Sequence, residues 1–373
     1  MKRVLFLPFL QIPSGHHQVA DALTEILLDI DSRIHCEKVD ILYYSYGRIE
    51  PIVSNIYLKW IHHCPSTYNW IYQKIVYNKK NNPNENYQLY ELLFKRFIKK
   101  LILEKKPDII VCSHALPSYM VSKLKEEKAI TNLPVINVYT DYFIHNFWGI
   151  KEIDFHFVAH SGMKEYLLKK GVDHGRVFIT GIPIHPKIGQ SHTTSTDSSK
   201  KLRGTIMGGS LGVGEIDQLI PKLVDTKNIY YSVLCGKNDH LFRKIKNLNH
   251  PKITPFRYIS NREEMNRIYE RSDFVISKPG GVTIMECLIK GIPILIYHAL
   301  PGQEKINLKN LMELGLVLQF DQWRNVSNLE DELESFFNES IEFKRFKQAI
   351  TDFHSKLTHY PTKTILKNIL QSI

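Results

Sequence analysis

Glycines and a glutamate follow an apolar segment in the C-terminal half of the chain, with a spacing that could bind a phosphorylated ligand. Residues 273–277 contain an apolar run, and a turn of Pro279, Gly280 and Gly281 follows them. Glycine lets a backbone approach a phosphate closely, and the N–H groups at a helix start favour an anion. Glu286 would lie about one turn into the next helix, where a carboxylate can accept the hydroxyl groups of a ribose. These residues predict a nucleotide site, and a plain strand–turn–helix with a surface glutamate is the alternative.

The elements around these residues are predicted to form a strand–helix–strand unit. Residues 273–277 and 293–297 are buried strands, and 282–290 is a helix with Gly291 just past its end. A polar turn, 300–304, follows the second strand. Because open parallel sheets bind ligands beyond the carboxyl ends of their strands, the polar groups of this turn are expected to face the same site.

A histidine lies where the first predicted strand meets the first predicted helix. The strand spans 3–9, and the helix runs from about His17 to Asp29 with one apolar face. With an unperturbed pKa near ~6.5, His16 can take a proton from a hydroxyl group at neutral pH. It is our candidate catalytic base, and a helix-capping or buried histidine is the alternative.

A second set of polar residues comes at the end of the predicted strand 134–141. Asp141 ends that strand, and His145 and Trp148 lie in the segment that follows. Asp141 could orient His16. An Asx turn that closes the strand is the alternative for Asp141.

A glycine-rich loop, 208–212, opens the second half of the chain between a predicted strand and a helix that starts near Glu215. It is similar to loops that cradle phosphates, but it matches neither the Walker pattern nor a strict G-x-G-x-x-G. Alone it is a weak signal. Ahead of Glu286 in the same domain, it becomes the expected partner for a pyrophosphate.

Three strings resemble the signatures of one glycosyltransferase family. They are S-K-P-G-G-V-T-I-M-E (277–286), P-G-Q-E-K-I-N (301–307) and T-D-Y-F-I-H-N-F-W (140–148). The family contains the plant monogalactosyldiacylglycerol synthases, the bacterial processive diacylglycerol glucosyltransferases and the N-acetylglucosaminyltransferase that makes lipid II. The bacterial diacylglycerol enzymes look most similar. The resemblance implies an α/β fold of the GT-B type, in which two Rossmann-like domains face each other across a cleft and the C-terminal one holds the nucleotide sugar.

The loop before His16 departs from the family pattern. P-S-G-H stands where the family has a glycine-rich G-x-G-H, so only Gly15 of the usual glycines remains. Pro13 and Ser14 make this loop stiffer. The expected effect is a local change in how the acceptor fits.

The resemblance also implies functional residues at matching positions. The implied catalytic residues are His16 and Asp141, and the implied acceptor-side residues are His145 and Trp148. The expected donor-binding residues are Gly15, Gly208, Gly209, Ser210, Lys237, Tyr258, Ile259, Pro279, Gly280, Gly281, Thr283, Glu286, Gln303, Glu304 and Asn307. No metal or other cofactor is expected, since the only D-x-D string, 29–31, ends the first helix.

Length and composition predict two folded domains. The chain has 373 residues, of which 43% are hydrophobic and 23% are charged, which is ordinary for globular proteins. We expect an acceptor domain at 1–189, a polar linker at 190–201 and a nucleotide-sugar domain at 202–373, whose last helix packs back on the first domain. The five cysteines are scattered and odd in number, which fits a reducing, cytoplasmic setting.

The net charge of +11 is unevenly placed. Residues 43–106 contain 11 lysines and arginines against 4 acidic residues, mixed with tyrosine and tryptophan. Such a surface suits an anionic bilayer, nucleic acid or plain solvent. The resemblance favours the bilayer, so we expect peripheral association with the inner face of the cell membrane and no nucleic-acid partner. Within this region, 90–106 is predicted to be an amphipathic helix with these residues inward: Leu92, Leu93, Phe97, Leu101 and Ile102.

The resemblance implies an inverting transfer of a hexose, expected to be glucose, from a UDP-sugar to diacylglycerol. One alternative keeps the donor but uses another lipid, a polyprenyl carrier or a small amphiphile as acceptor. A UDP-sugar epimerase shares the fold, but it would need further carboxylates around the sugar that the sequence does not identify. A basic, non-catalytic binding protein is the third possibility, and the set of His16, Asp141 and Glu286 argues against it.

Overall fold

The computed structural model describes residues 2–9, 15–47, 87–189, 201–212, 214–326, 328–337, 341–357 and 361–372. The chain divides into two compact units, one of Met1–His185 with Lys356–Ile373 and one of Pro186–Ser355. Most of the predicted linker, 190–200, and most of the basic region, 48–86, lie outside the described residues.

Each unit contains one sheet of six strands, all of them parallel. In the first unit the strands are β1 (Arg3–Leu7), β2 (His35–Lys38), β3 (Ile109–Cys112), β4 (Val135–Val138), β5 (Phe155–Val158) and β6 (Val177–Ile179). In the second unit they are β7 (Arg203–Met207), β8 (Tyr230–Leu234), β9 (Ile253–Phe256), β10 (Phe274–Ser277), β11 (Ile294–Ile296) and β12 (Leu318–Gln319). The central strands, such as β3 and β10, are buried along their whole length, because helices cover both faces of a parallel sheet.

The helices follow the strands in the alternating order typical of doubly wound α/β folds. They are α1 (Gly15–Ile30), α2 (Ile41–Tyr46), α3 (Arg96–Lys105), α4 (Ala115–Glu126), α5 (Ser161–Lys169), α6 (Ile216–Leu219), α7 (Asp239–Asn247), α8 (Arg262–Glu270), α9 (Gly281–Lys290), α10 (Gln303–Glu313), α11 (Leu329–Phe337), α12 (Ile341–Lys356) and α13 (Thr362–Ser372). Short 3₁₀ segments lie at His174–Arg176, Ile220–Leu223 and Asp321–Arg324. None of the described helices is long and apolar enough to cross a bilayer.

The two sheets have similar but not identical strand orders. The order is β2-β1-β3-β4-β5-β6 in the first unit and β12-β11-β10-β7-β8-β9 in the second. In each sheet the first strand along the chain, β1 or β7, lies inside the sheet with later strands on both sides. The strand order therefore reverses at β1–β3 and at β7–β10, and open parallel sheets bind ligands at the carboxyl edge of such a point.

The predicted inward face of the helix before β3 is wrong at its start and right at its end, where Leu101 and Ile102 are buried as predicted. Leu92 is 77% exposed and Leu93 is also exposed, whereas Phe94 and Ile98 are buried. The cause is a π-helical segment at Glu91–Lys95, just before α3. A π turn holds more residues than an α turn, so it shifts the apolar face along the sequence.

The last helix belongs to the first unit. α13 packs against α1 through its buried residues Ile365, Leu366 and Ile369. Lys363 Nζ also lies 2.5 Å from Asp29 Oδ2 at the end of α1. The C-terminal segment thereby joins the unit formed by the N-terminal half of the chain.

Candidate active site

His16 lies at the point where the strand order of the first sheet reverses. β1 pairs with β3 in parallel, so the segments that leave these two strands emerge side by side. α1 begins at Gly15, slightly earlier than predicted, and this places His16 in the first turn of the helix. The first sheet therefore brings His16 next to Ser113, the residue that follows β3.

The hydrogen bonds of His16 fix the tautomer of its ring. The Nδ1 atom lies 2.7 Å from the carbonyl oxygen of Ser113 and 3.0 Å from Oγ1 of Thr140. A carbonyl oxygen can only accept, so Nδ1 carries the hydrogen and donates it to Ser113. The neutral ring then has its lone pair on Nε2, for which residues 2–9, 15–47 and 87–189 supply no hydrogen-bond partner. That arrangement suits a general base.

The charge environment keeps this imidazole neutral. Burial lowers the pKa of His16 below its ordinary value, and the charge of His17 lowers it further. The carboxylate of Asp141 and the hydrogen bond to Ser113 act in the opposite direction and raise it. Because the net direction is downward, His16 is ready to accept a proton at neutral pH.

Asp141 acts on His16 through its charge. It follows β4, the neighbour of β3 in the sheet, and its side chain is buried. The hydrogen bonds to the His16 ring come from Ser113 and Thr140, and an orienting role for Asp141 stays a prediction. The sequence did not identify Ser113, because a backbone carbonyl leaves no residue-type signal.

A second histidine packs against the candidate base. The rings of His114 and His16 meet edge to face with centroids 4.8 Å apart, and His114 also stacks on Phe9 at 4.9 Å. His114 Nδ1 accepts a hydrogen bond from the backbone N–H of Leu116 and caps α4. Burial and the charge of His16 hold the pKa of His114 well below its ordinary value. A second neutral imidazole therefore lies beside the base.

The two predicted acceptor-side residues differ in what they offer. Trp148 is buried and packs on Tyr139, with ring centroids 4.5 Å apart. An acceptor contact for Trp148 stays a prediction. His145 is half-buried, and burial together with the charge of His16 lowers its pKa to about 3. An acceptor contact for His145 stays a prediction.

The glycine-rich loop lies at the matching point of the second sheet. It follows β7, and β7 pairs with β10, whose own end carries the Pro279 turn. A Cβ atom on Gly212 would lie 1.9 Å from the carbonyl oxygen of Cys235, and the φ angle of Gly212 is +61°. Lys237 N–H donates to the carbonyl of Ser210 at 3.0 Å. Loop 208–212 and loop 235–238 thus interlock so closely that only glycine fits.

Helix α9 starts at the carboxyl end of β10 with backbone groups alone. Its N-cap is Gly280, and no side chain caps it. The helix ends at Gly291, whose φ angle of +66° is the left-handed conformation expected of a C-cap glycine. A helix start next to a glycine loop favours an anion such as a diphosphate.

Glu286 lies in α9, and its side chain is 4% exposed. Its Oε2 atom accepts a hydrogen bond of 2.7 Å from the hydroxyl of Tyr269 in α8. Burial raises the pKa of Glu286, while Tyr269, Arg262 and Lys290 act to lower it. The sequence had not identified Tyr269, because only the packing of α8 on α9 brings the two side chains together.

A buried ion pair lies beside the start of α9. Lys278 Nζ is 3.0 Å from Oε1 of Glu304, and Oε2 of Glu304 accepts the backbone N–H of Leu300 at 2.7 Å. Glu304 was predicted to bind the donor. In the structure both of its carboxylate oxygens contact the protein, one at Lys278 and one at the turn before α10. Lys278, which the prediction omitted, places an ammonium group near the Pro279 turn.

The other predicted donor residues are spread over this edge of the second unit. Gln303 begins α10 rather than lying in a turn, after Gly302 with a φ angle of +87°. Asn307 is buried and donates through Nδ2 to the carbonyl oxygen of Pro279 at 3.2 Å. Lys237 lies over the ring of Tyr258 at 5.6 Å. Gly15 is apart from this group, in the first unit beside His16.

Clusters of possible metal ligands are absent from the described residues: no three histidine, cysteine, aspartate or glutamate side chains there are placed to hold an ion. The metal-free mechanism stays a prediction.

Comparisons with known proteins place the chain in a class. Residues 16–184 match the family described as monogalactosyldiacylglycerol (MGDG) synthase, and residues 205–359 match the glycosyltransferase family 28 C-terminal domain. The crystal structure of MurG from Acinetobacter baumannii is similar, with a TM-score of 0.59 at 14% identity over 100% of both chains. Together with the two six-stranded parallel sheets, this similarity defines the GT-B fold of glycosyltransferases.

Two bacterial relatives narrow the class to a family. The uncharacterized glycosyltransferase YkoN of Bacillus subtilis (strain 168) is 39% identical over 371 residues, which cover 99% of this chain and 98% of the relative. The processive diacylglycerol beta-glucosyltransferase of the same organism is 28% identical, with 99% and 95% covered. The chain belongs to the glycosyltransferase family that contains the monogalactosyldiacylglycerol synthases and the processive diacylglycerol glucosyltransferases.

Proposed function

We propose that this glycosyltransferase transfers glucose from UDP-glucose to the free hydroxyl of diacylglycerol, with inversion at the anomeric carbon. The acceptor oxygen forms a bond to that carbon, and the bond from the carbon to the β-phosphate oxygen of UDP breaks. The hydroxyl proton moves to Nε2 of His16, and UDP leaves with the electron pair. The products are a glucosyl diacylglycerol and UDP.

The observation that carries this proposal is the tautomer of His16. The carbonyl oxygen of Ser113 accepts a hydrogen bond of 2.7 Å from Nδ1, so the lone pair of the neutral ring is on Nε2. A base held in one tautomer needs no rearrangement before it accepts the proton. The lowered pKa of His16 keeps that lone pair available at neutral pH.

The donor half of the proposal rests on the second unit. The glycine loop after β7 and the first turn of α9 bring backbone N–H groups to the diphosphate, whose negative charge grows as the sugar departs. Lys278, held by Glu304, adds a positive charge at the same edge. Glu286 serves the ribose of the donor through its carboxylate.

The acceptor and the donor sugar are inferred from relatives. The processive relative at 28% identity is named for diacylglycerol and a β-glucosyl product, whereas the name of the relative at 39% identity states neither a sugar nor an acceptor. Diacylglycerol resides in a bilayer, so we also propose that the basic, aromatic region at 43–106 holds the protein on the inner face of an anionic membrane.

The proposal is tested by measuring UDP release from UDP-glucose, UDP-galactose and UDP-N-acetylglucosamine, with anionic vesicles that contain or lack diacylglycerol. We expect UDP-glucose to give release that depends on diacylglycerol, and we expect His16→Ala to abolish it. His17→Ala, a change of the same residue type at the next position, is the control and should retain turnover. Binding of a UDP-sugar without diacylglycerol-dependent release would assign a different acceptor, and no binding of any UDP-sugar would refute the donor class.

A further inference from the structure

His114 is a half-buried histidine beside the candidate base, and a backbone contact fixes its tautomer. Its Nδ1 atom accepts the backbone N–H of Leu116 at 3.1 Å. An N–H group can only donate, so Nδ1 carries a lone pair and the hydrogen of the neutral ring is on Nε2. Burial and the charge of His16 lower the pKa of His114, which keeps the ring neutral. Within the described part of the chain, no hydrogen bond uses the Nε2 hydrogen, so His114 has one donor to offer a ligand.

The Nε2 atoms of the two neighbouring rings have opposite roles. Nε2 of His16 carries a lone pair, because Nδ1 of that ring donates to the carbonyl oxygen of Ser113. Nε2 of His114 carries a hydrogen. The ring centroids are 4.8 Å apart and the ring planes meet at 81°, so both atoms are within reach of one small polar group. Such a pair fits a ligand whose hydroxyl gives its hydrogen to His16 and whose second oxygen, close by, accepts from His114.

Packing holds the His114 ring in place before any ligand arrives. His114 is the N-cap of α4. Its ring also stacks on Phe9, with centroids 4.9 Å apart and planes 28° apart. Phe9 and His114 lie just beyond β1 and β3, which are neighbours in the first sheet. A side chain that is already ordered loses little freedom on binding, so the Nε2 donor is pre-organised next to the base.

We propose that His114 is an acceptor-binding residue, whose Nε2 hydrogen bonds to the carbonyl oxygen of the ester next to the reacting hydroxyl, while Nε2 of His16 takes the proton of that hydroxyl. This inference rests on the proposed function, because it takes diacylglycerol as the acceptor. In diacylglycerol the free hydroxyl and the carbonyl of the sn-2 ester are only a few bonds apart. The carbonyl can only accept and the hydroxyl can donate, so the lipid offers the groups that the two rings require. The enzyme should therefore prefer an acceptor that carries this ester.

The first test measures kcat/KM of the wild type with three lipids in anionic vesicles: 1,2-diacylglycerol, the 1-alkyl-2-acyl ether and the 1-acyl-2-alkyl ether. All three keep the free hydroxyl, and only the last lacks the carbonyl next to it. The 1-alkyl-2-acyl lipid should match diacylglycerol within about twofold, and the 1-acyl-2-alkyl lipid should be about fivefold worse, because one neutral hydrogen bond is lost. Equal turnover of all three lipids would overturn the inference alone. If no UDP release depends on diacylglycerol, the proposed function falls, and the inference falls with it for that separate reason.

The second test applies the three lipids to His114→Ser. Serine can still cap α4 by accepting a backbone N–H, but it removes the imidazole donor. We expect the KM for diacylglycerol to rise about fivefold with kcat nearly unchanged, and the difference between the two ether lipids to disappear. A purely structural role would impair all three lipids alike and keep the wild-type preference, and that result would overturn the inference. If His114→Ser does not fold, the first test decides alone.

His250→Ser is the matched control for this substitution. His250 lies in the second unit before β9, and its Nδ1 atom accepts the backbone N–H of Lys252 at 3.2 Å. This contact has the same kind and spacing as the contact between His114 and Leu116. The control should keep the wild-type turnover and the wild-type preference among the three lipids. Loss of the preference in His250→Ser would also overturn the inference, since it would show that the preference does not depend on the position of the histidine.

Discussion

The Nδ1 atom of His16 lies 2.7 Å from the carbonyl oxygen of Ser113, 97 residues away in the sequence. This contact exists because β1 and β3 are neighbours in the first sheet. It sets the tautomer of the ring and so decides which nitrogen can accept a proton. The proposed role of His16 as the base therefore depends on the strand order as much as on the residue type.

The pH dependence of turnover should report the charge of Asp141. A general base must be deprotonated, so kcat/KM falls as the pH drops through the pKa of His16, which lies below the ordinary histidine value. The Asp141 charge raises that pKa, and Asp141→Asn should therefore lower it and move the acid limb to lower pH. The plateau should also fall, because a weaker base accepts the proton less readily. Profiles of kcat/KM against pH for the two proteins check this, and an acid limb that moves to higher pH would contradict it.

Thr140→Val should slow turnover without affecting the donor. The change keeps the shape of the side chain but removes the hydroxyl that lies 3.0 Å from His16 Nδ1. A hydrogen bond of this kind contributes about 1 kcal/mol, so kcat/KM for the acceptor should fall about fivefold. Thr24→Val in α1, whose hydroxyl donates to the carbonyl of Ala20 and does not contact His16, should behave like the wild type. A raised KM for UDP-glucose with unchanged kcat would argue against a role beside the base.

Gly212→Ala should disrupt the interlocked loops of the second unit. The new methyl group would lie 1.9 Å from the Cys235 carbonyl, and alanine is strained at a φ angle of +61°. We expect the free energy of unfolding to fall by at least about 2 kcal/mol and UDP binding to be lost. Chemical denaturation and calorimetry measure the two effects. Gly189→Ala, at an exposed position with open space around the glycine, should change neither, and a stable Gly212→Ala protein that binds UDP would refute the proposed packing.

Lys278→Met separates the structural role of the buried ion pair from its role toward UDP. Removing the ammonium group leaves the Glu304 carboxylate without its cation, so the unfolding free energy should fall by roughly 2 kcal/mol. Glu304→Gln in the same protein should recover much of that stability. Turnover should stay at least about tenfold low in both variants, because neither carries a cation for the departing diphosphate. Recovery of full activity in the double variant would show that Lys278 serves only the fold.

The strand–helix–strand unit around Glu286 follows from its sequence within a residue or two. The apolar run ends before Pro279, and the helix ends at Gly291, which adopts the left-handed conformation. The start and the end of the helix therefore both have local causes. The π turn at Glu91–Lys95 has no comparable local signal in the sequence. It shifts the buried face of the helix before β3 relative to the predicted one. The sequence also does not reveal the hydrogen-bond partners of the site residues. Ser113 contributes a backbone carbonyl, and Tyr269 contacts Glu286 only because two helices pack together. Residue types thus indicated candidate functional groups, while the tertiary fold determined what each of them contacts.

The central claim is that His16 acts as the base in an inverting glucosyl transfer to diacylglycerol. The most direct measurement is the anomeric configuration of the lipid product made from UDP-glucose, determined by NMR for wild type and His16→Ala. UDP-glucose carries an α linkage, so a direct displacement with His16 as base gives β-glucosyl diacylglycerol from the wild type and no product from His16→Ala. An α-linked product, or an undiminished yield from His16→Ala, would contradict the account.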